Sequence, residues 1–583
     1  MVPYDISKRD VPTRLEDISP INPIHPKNPT KHKIGVKDEI SNSTLGVYDT
    51  AAVAADGAPC ASIGVNILKA NGSTADAAIA AQFCLGVVVQ ESMGIGGGFF
   101  LTYYDRPSKK AYILDARETA PELATEDMYE GRENSSMYGG LAVAIPGEVR
   151  GCWELYKRFG GGVPWADLIQ PTITLCEEGF PVSKHMANAL ATKRNVIINE
   201  PTMSSFVNPS TGDVFKEGEI MTRPKLIPTL QELQKDPDAL YTGSLSDGFL
   251  KDLNKLGSII TRSDLENYEP LWKEPVTVSL ENGGYTMYSA PPPASGIVLG
   301  YILNVLDNYN FTSESLNDDN IVTTNQRIVE SFKYAYAKRT DLADEDFVNM
   351  TQLIANLTSE KFAFETYSKI YDNQTSQDPA YYGVTDIGPE SHGTDHLSVW
   401  GNDGSVISIT STVNLYFGAV VASESTGVVL NDEMDDFSSP NVSNHFNLPP
   451  SPNNYIEPGK RPTSSMCPVV FTDKDGEVRL ITGGAGGSMI STATAWVAIQ
   501  NLWFGRDIKE AIDSKRLHHQ LYPMTLQYED GFDQSVVQSL EDIGHVTEEF
   551  PSGDSIVTGI ALGEDGKIYA NSDYRKAPEV DGI

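Results

Sequence analysis

The stretch 393–418, Gly-Thr-Asp-His-Leu-Ser-Val-Trp-Gly-Asn-Asp-Gly-Ser-Val-Ile-Ser-Ile-Thr-Ser-Thr-Val-Asn-Leu-Tyr-Phe-Gly, constrains the fold more than any other. Two β-rich runs flank Asn402-Asp403-Gly404, a strong hairpin signal. With the turn centred on Asp403, Leu397 opposes Ile409 and Val399 opposes Ile407, which makes one apolar face. The other face pairs Ser398 with Ser408, His396 with Thr410 and Thr394 with Thr412. Asn414 continues that face, because side chains alternate along a strand. Directly opposed residues carry Cβ atoms about 4.5–5.5 Å apart, so two threonine hydroxyls are predicted in near contact. The register assumes no β-bulge.

A polar strand face ordinarily meets solvent. Three features argue for a reactive face instead. Gly393 precedes Thr394 and leaves the peptide carbonyl between them unhindered, the face carries few charges, and acidic and glycine-rich clusters follow downstream.

Elsewhere helical and strand signals alternate without internal repeats, as in a mixed α/β chain. Residues 58–70 and 75–89 read as two helices, with an Asn71-Gly72 turn, a Ser73 N-cap and Asp76 three residues on. Antiparallel packing of this pair brings Cys60 level with Cys84, so a disulfide is expected there, with two buried free thiols as the alternative. Residues 326–339 place Ile328, Phe332, Ala335 and Tyr336 on one helical face, and 491–504 read as a further helix. Residues 1–45 are polar and punctuated by proline, an extended or disordered tail.

The formal charge of −35 argues against nucleic-acid or anionic-membrane partners. The longest apolar stretch, Ala77 to Val89, is broken by Gln82 and is too short to cross a bilayer. The first residues have no signal-peptide core. Yet Asn-x-Ser/Thr triplets occur at Asn42, Asn71, Asn134, Asn310, Asn349, Asn356, Asn373 and Asn441. That density suits a secretory protein, extracellular, cell-surface or vacuolar, whose targeting or anchoring segment lies outside this sequence; a cytosolic protein is the alternative. Five cysteines without a CxxC, and histidines that adjoin only at His518-His519, give no metal spacing. Gly94-Ile-Gly-Gly-Gly98 lacks the dinucleotide spacing and reads as a site of close backbone packing. No G-x-S-x-G elbow or H-E-x-x-H helix is present.

Gly-Thr-Asp-His-Leu-Ser-Val (393–399) resembles the self-cleavage site of γ-glutamyltranspeptidases. The following blocks resemble that family in order: 410–418, Asn-Asp-Glu-Met-Asp-Asp-Phe (431–437), Pro-Gly-Lys-Arg-Pro-Thr-Ser-Ser-Met-Cys-Pro (458–468) and Gly-Gly-Ala-Gly-Gly-Ser-Met (483–489). Upstream, Ser-Met-Gly-Ile-Gly-Gly-Gly-Phe-Phe (92–100) and Asp-Ala-Arg-Glu-Thr-Ala-Pro (115–121) match as well, and Ser-Asp-Tyr-Arg-Lys (572–576) lies near the end. The resemblance runs from about residue 46 to the C-terminus.

It implies an α/β fold, a four-layer αββα sandwich of the N-terminal nucleophile hydrolase type. Two subunits from one precursor would form it, 46–393 with the tail and 394–583, sharing one core. It implies that Thr394 is the nucleophile of both self-cleavage and the enzyme reaction, with Thr412 hydrogen-bonded to it. A hydroxyl needs a base, and the amine freed at Thr394, with an ordinary pKa of about 7.7–8.0, would serve. Gly486 and Gly487 would supply oxyanion N–H groups, just before a helix start that itself suits anions. Arg117, a planar bidentate cation, would take the substrate α-carboxylate with Ser464 and Ser465. Asn414, Glu433 and Asp436 would take its α-ammonium.

The reaction implied moves a γ-glutamyl group from glutathione or γ-glutamyl amides to water, amino acids or dipeptides, with no metal or cofactor. The rivals are a cephalosporin-acylase-like amidase with another acyl group and an inactive secreted paralogue. His392 and His396 flank the cut and would assist processing, unless His396 only supports the sheet. Asp395 departs from the small residue of animal members, and its carboxylate would raise the pKa of the new amine. Residues 441–457 are expected to form a short loop beside an open cleft.

Overall fold

The hairpin forms in the expected register, Thr394 opposite Thr412 through Trp400 opposite Val406, with no bulge. The computed structural model describes residues 41–384, 393–440 and 450–583. Thr394–Trp400 and Val406–Thr412 lie inside a seven-stranded antiparallel sheet. Its order is Glu579–Gly582, Ala52–Ala55, Thr394–Trp400, Val406–Thr412, Gly98–Asp105, Lys110–Ala116, Leu271–Lys273. A second seven-stranded sheet runs Gly46–Tyr48, Ile568–Asn571, Ile556–Leu562, Val478–Ala485, Val469–Asp473, Tyr285–Ser289, Val276–Leu280. Each sheet draws strands from both sides of residue 393.

Every residue of the hairpin strands is buried. The apolar face, Leu397, Val399, Ile407 and Ile409, packs into a core with helices Cys60–Lys69 and Thr74–Val88. The polar face therefore turns inward, against the second sheet, and not to solvent. The Ser398, Ser408 and Thr410 hydroxyls are hydrogen-bonded there. Ser408 Oγ donates to the Thr482 carbonyl at 2.9 Å and accepts from the Val469 N–H at 3.0 Å. His396 is bonded through Nδ1 to Thr410 Oγ1 at 2.8 Å and through Nε2 to Ser398 Oγ at 3.1 Å. Burial pushes the His396 imidazole down to about 3, so the ring is neutral and braces the sheets. His392 lies outside the described residues.

The outer face of the second sheet carries helices Gly296–Asp307, Ile321–Arg339 and Met489–Leu502 over a separate core. The order is helix, sheet, sheet, helix, the four-layer αββα sandwich of N-terminal nucleophile hydrolases. The helix beginning at Ile321 starts earlier than the periodicity from Gln326 indicated, and its buried residues include all four of the expected face.

Cys60 and Cys84 are joined, with Cα atoms 5.4 Å apart. Ser73 caps the second helix in a reciprocal capping box with Asp76, and Asn71 takes the left-handed turn at φ 63°. Gln82, the break in the apolar run, donates from Nε2 to Glu148 Oε1 at 2.8 Å and to Ser411 Oγ, tying helix to hairpin. The 94–98 run is a close packing site: a Cβ on Gly97 would lie 2.0 Å from the Thr412 carbonyl.

Ser41 bonds Asp513 and Ser43 bonds Asn571, because the strand Gly46–Tyr48 that follows pairs with Ile568–Asn571. Residues 1–40 are outside the described set, as are Asn441 and the residues to 449 of the segment expected to form a loop. Of the described sequons, Asn356 is half-buried and the other asparagines are exposed. Among the described residues no helix is long and apolar enough to cross a membrane.

Candidate active site around Thr394

Thr394 begins an interior strand and is only 5% exposed. It lines a cavity of about 370 Å³ with Ser92, His185, Gly393, Tyr416 and Gly486. Thr412, opposite in register, donates its hydroxyl to the Gly393 carbonyl, the acyl half of the 393–394 bond, and accepts from the Asn414 N–H at 2.8 Å. The expected partner was Thr394 itself. In the continuous chain the carbonyl stands beside it and is the stronger acceptor.

A buried cation sits behind the strand. Lys576 donates from Nζ to the Thr394 carbonyl at 2.9 Å and to Asp395 Oδ1 at 2.7 Å, with Asp56 Oδ2 at 3.7 Å. Asp56 in turn accepts from the His396 N–H at 3.2 Å and from Thr558. Two carboxylates share one ammonium in a dry site. Burial pushes the Asp395 carboxyl up to about 7 although Lys576 pulls it down, and Lys576 itself is held firmly protonated by Asp395 and Asp56. Lys576, bonded to the Thr394 carbonyl and to the Asp395 carboxylate, opposes the field of Asp395 at residue 394. Neither Lys576 nor Asp56 was singled out from the sequence; only the 572–576 block hinted at the lysine.

Gly486 and Gly487 end the Val478–Ala485 strand and precede the Met489–Leu502 helix. Gly486 has φ +120°, and a Cβ there would sit 2.1 Å from the Asp554 carbonyl, so only glycine holds this corner. Its place in the wall of the Thr394 cavity fits an oxyanion role.

The other expected binding residues form a second cluster, and they do not line that cavity. Arg117 is fully buried and pairs through Nη1 with Glu433 and through Nη2 with Asp436 at 2.5 Å. The carbonyls of Pro462 and Thr463 accept from it at 3.4 and 3.2 Å, so the segment bearing Ser464 and Ser465 wraps the guanidinium. Ser464 Oγ accepts from the Met466 N–H at 3.2 Å, and Ser465 Oγ from Arg339 Nη2 at 2.8 Å. The cation expected for a carboxylate and the acids expected for an ammonium therefore hold each other.

Acid is in excess. Burial and neighbouring acids push Glu433 well up, and burial pushes Glu118, which sequence reasoning missed, up to about 7. Among the described residues, Glu433 Oε2 and Asn414 Oδ1 are buried without hydrogen-bond partners. Asn414, with φ 75°, joins the clusters: its N–H reaches Thr412 and its Nδ2 donates to the Asp432 carbonyl at 3.0 Å.

The sequence model of the Gamma-glutamyltranspeptidase family matches residues 60–583. The chain is 44% identical to Scoloptoxin SSD14 of Scolopendra dehaani, over 94% of this chain and 95% of the relative. It is 38% identical to Glutathione hydrolase 3 of Arabidopsis thaliana, over 89% and 81%. Among solved structures, cephalosporin acylase from Bacillus halodurans superposes with a TM-score of 0.80 at 23% identity, covering 95% of this chain and 99% of the acylase, a likeness of fold. The family match spans the hairpin, Arg117 and its acids, and most strands of both sheets, and the chain belongs to the γ-glutamyltranspeptidase family.

Proposed function

We propose that the chain cuts its own 393–394 bond and that Thr394 then carries the γ-glutamyl group between donor and acceptor. Membership of the family makes the chain an enzyme of γ-glutamyl transfer and hydrolysis. The observation that carries the self-cleavage reading is the Thr412 hydroxyl bonded to the Gly393 carbonyl. That bond polarises the carbon which Thr394 Oγ, one residue on, must attack. Attack breaks the C–N bond, moves the hydroxyl proton to the departing nitrogen and leaves an ester. Water then releases a Gly393 carboxylate and a Thr394 amine, giving subunits 1–393 and 394–583 around one core.

In turnover the freed amine takes the Thr394 hydroxyl proton as Oγ attacks the γ-glutamyl carbonyl, and returns it to the leaving amine. Gly486 and Gly487 N–H groups stabilise the oxyanion. Arg117 with Ser464 and Ser465 holds the α-carboxylate, while Asn414, Glu433 and Asp436 hold the α-ammonium. Binding exchanges the internal Arg117–acid pairs for the substrate zwitterion, and the unpartnered Asn414 Oδ1 and Glu433 Oε2 support that exchange. This zwitterion-complementary cluster favours the γ-glutamyl group of glutathione and γ-glutamyl amides over the acyl group of a cephalosporin-acylase-like relative. Acceptors are water, amino acids and dipeptides. The exposed sequons and the Cys60–Cys84 bridge support a secretory route to the cell surface, exterior or vacuole.

Intact mass of the purified protein tests the reading. A fragment beginning with unblocked Thr394 is expected, and Thr394→Ala should remain a single inactive chain near 63.5 kDa. Turnover by the alanine variant would refute the nucleophile assignment.

A further inference from the structure

The cavity that holds Thr394 also holds a histidine that the proposed chemistry does not use. His185 lies in the first turn of the helix Lys184–Asn199, and its side chain is 12% exposed. Its Nδ1 stands 3.0 Å from Glu91 Oε1, and its Nε2 stands 3.4 Å from the Tyr416 hydroxyl, with the two rings edge-on at 5.6 Å. Glu91 is fully buried, and among the described residues its Oε2 has no hydrogen-bond partner and the His185 ring is the side-chain donor on its Oε1.

The pair is fixed by backbone. The Glu91 carbonyl accepts from the Phe417 N–H at 2.9 Å, and the Ser92 carbonyl from the Val413 N–H at 3.0 Å. Both bonds lock the dyad to the segment that carries Asn414 and Tyr416. With the Nδ1 proton directed at the Glu91 carboxylate, Nε2 is the acceptor for the Tyr416 hydroxyl, whose phenol burial keeps protonated. The arrangement is a carboxylate-oriented imidazole in the wall of the cavity that Thr394 also lines. The long 3.4 Å contact is one an incoming donor can replace.

We propose that His185, oriented by Glu91, is the proton acceptor for amine acceptors in the transfer half-reaction. This rests on Thr394 as the acylated residue. An amino acid or dipeptide arrives as an ammonium and cannot attack until it loses a proton; water has no such requirement. His185 Nε2 takes that proton. The neutral amine attacks the acyl carbon, its second proton passes through the Thr394 amine to Oγ, and the C–Oγ bond breaks. His185 then returns its proton to solvent. Asp554 and Lys193 both line this cavity, and Lys576, Glu91 and Asp554 all act on the Tyr416 phenol.

The test is the partition of one acyl-enzyme between transfer and hydrolysis, a ratio independent of acylation rate and of the folded fraction. Purified processed enzyme is given a γ-glutamyl donor with either a dipeptide or hydroxylamine, which is already neutral at pH 7. For His185→Asn, and for His185→Gln as a second variant, transfer to the dipeptide relative to hydrolysis should fall at least about tenfold. The ratio with hydroxylamine should stay within about twofold of wild type, since no proton need be removed. Glu91→Gln should fall between. A dipeptide ratio like wild type, or equal losses for the two acceptors, would overturn the proposal. Failure of wild type to form a γ-glutamyl adduct on Thr394, read by mass, would instead sink the nucleophile reading.

Discussion

Replacing Gly393 by alanine tests the geometry of self-cleavage at a single carbon. An added Cβ would stand 2.4 Å from the Asn414 carbonyl oxygen and 2.8 Å from the Leu415 carbonyl carbon, both backbone atoms. Carbon contacts relax at about 3.5–4.0 Å, so residue 393 must back away by roughly 1 Å. Overpacking of this kind costs about 1–3 kcal/mol. The displaced carbonyl is the one that Thr412 polarises, and a misplacement of about 1 Å slows a positioned reaction by roughly 100-fold, near 2.7 kcal/mol in the barrier. A time course of the 63.5 kDa chain on denaturing gels, with masses of the products, measures the rate. Thermal melting of the uncut variant confirms that it folds. Processing of Gly393→Ala at the wild-type rate would refute the assigned contact.

Lys576→Met leaves Asp395 and Asp56 buried without their cation, a loss of about 3–5 kcal/mol at pH 8. Because burial raises Asp395 to about 7, above the ordinary carboxylate value, its favourable contribution is full at low pH and disappears as pH rises through 7. The deficit from denaturant unfolding should therefore shrink toward pH 5, and equal deficits at pH 5 and 8 would contradict the pairing. Arg117→Lys replaces a forked donor set that holds Glu433 and Asp436 together. At roughly 1.5–3 kcal/mol for each charge-assisted bond lost, kcat/KM for a γ-glutamyl donor should drop about 100-fold, and an unchanged value would remove Arg117 from the binding site.

Local chemistry settled much of this molecule in advance. Alternation around Asn402-Asp403-Gly404 determined that Thr394 faces Thr412, since strand geometry permits no other partner once the turn is placed. The capped turn at 71–73 pointed to a Cys60–Cys84 bridge, because the two cysteines lie equally far along the chain from Gly72 and antiparallel helices bring them level. The blocks around 393, 431 and 483 marked the candidate residues.

Tertiary structure alone decided what those residues touch. The polar hairpin face is buried because helices occupy the other face and a second sheet covers this one. Lys576 reaches Asp395 across 181 residues, and Arg117 meets Glu433 across 316. No periodicity encodes such contacts. They depend on the order in which strands from both halves of the chain join one sheet, and the burial that follows sets which charges must pair.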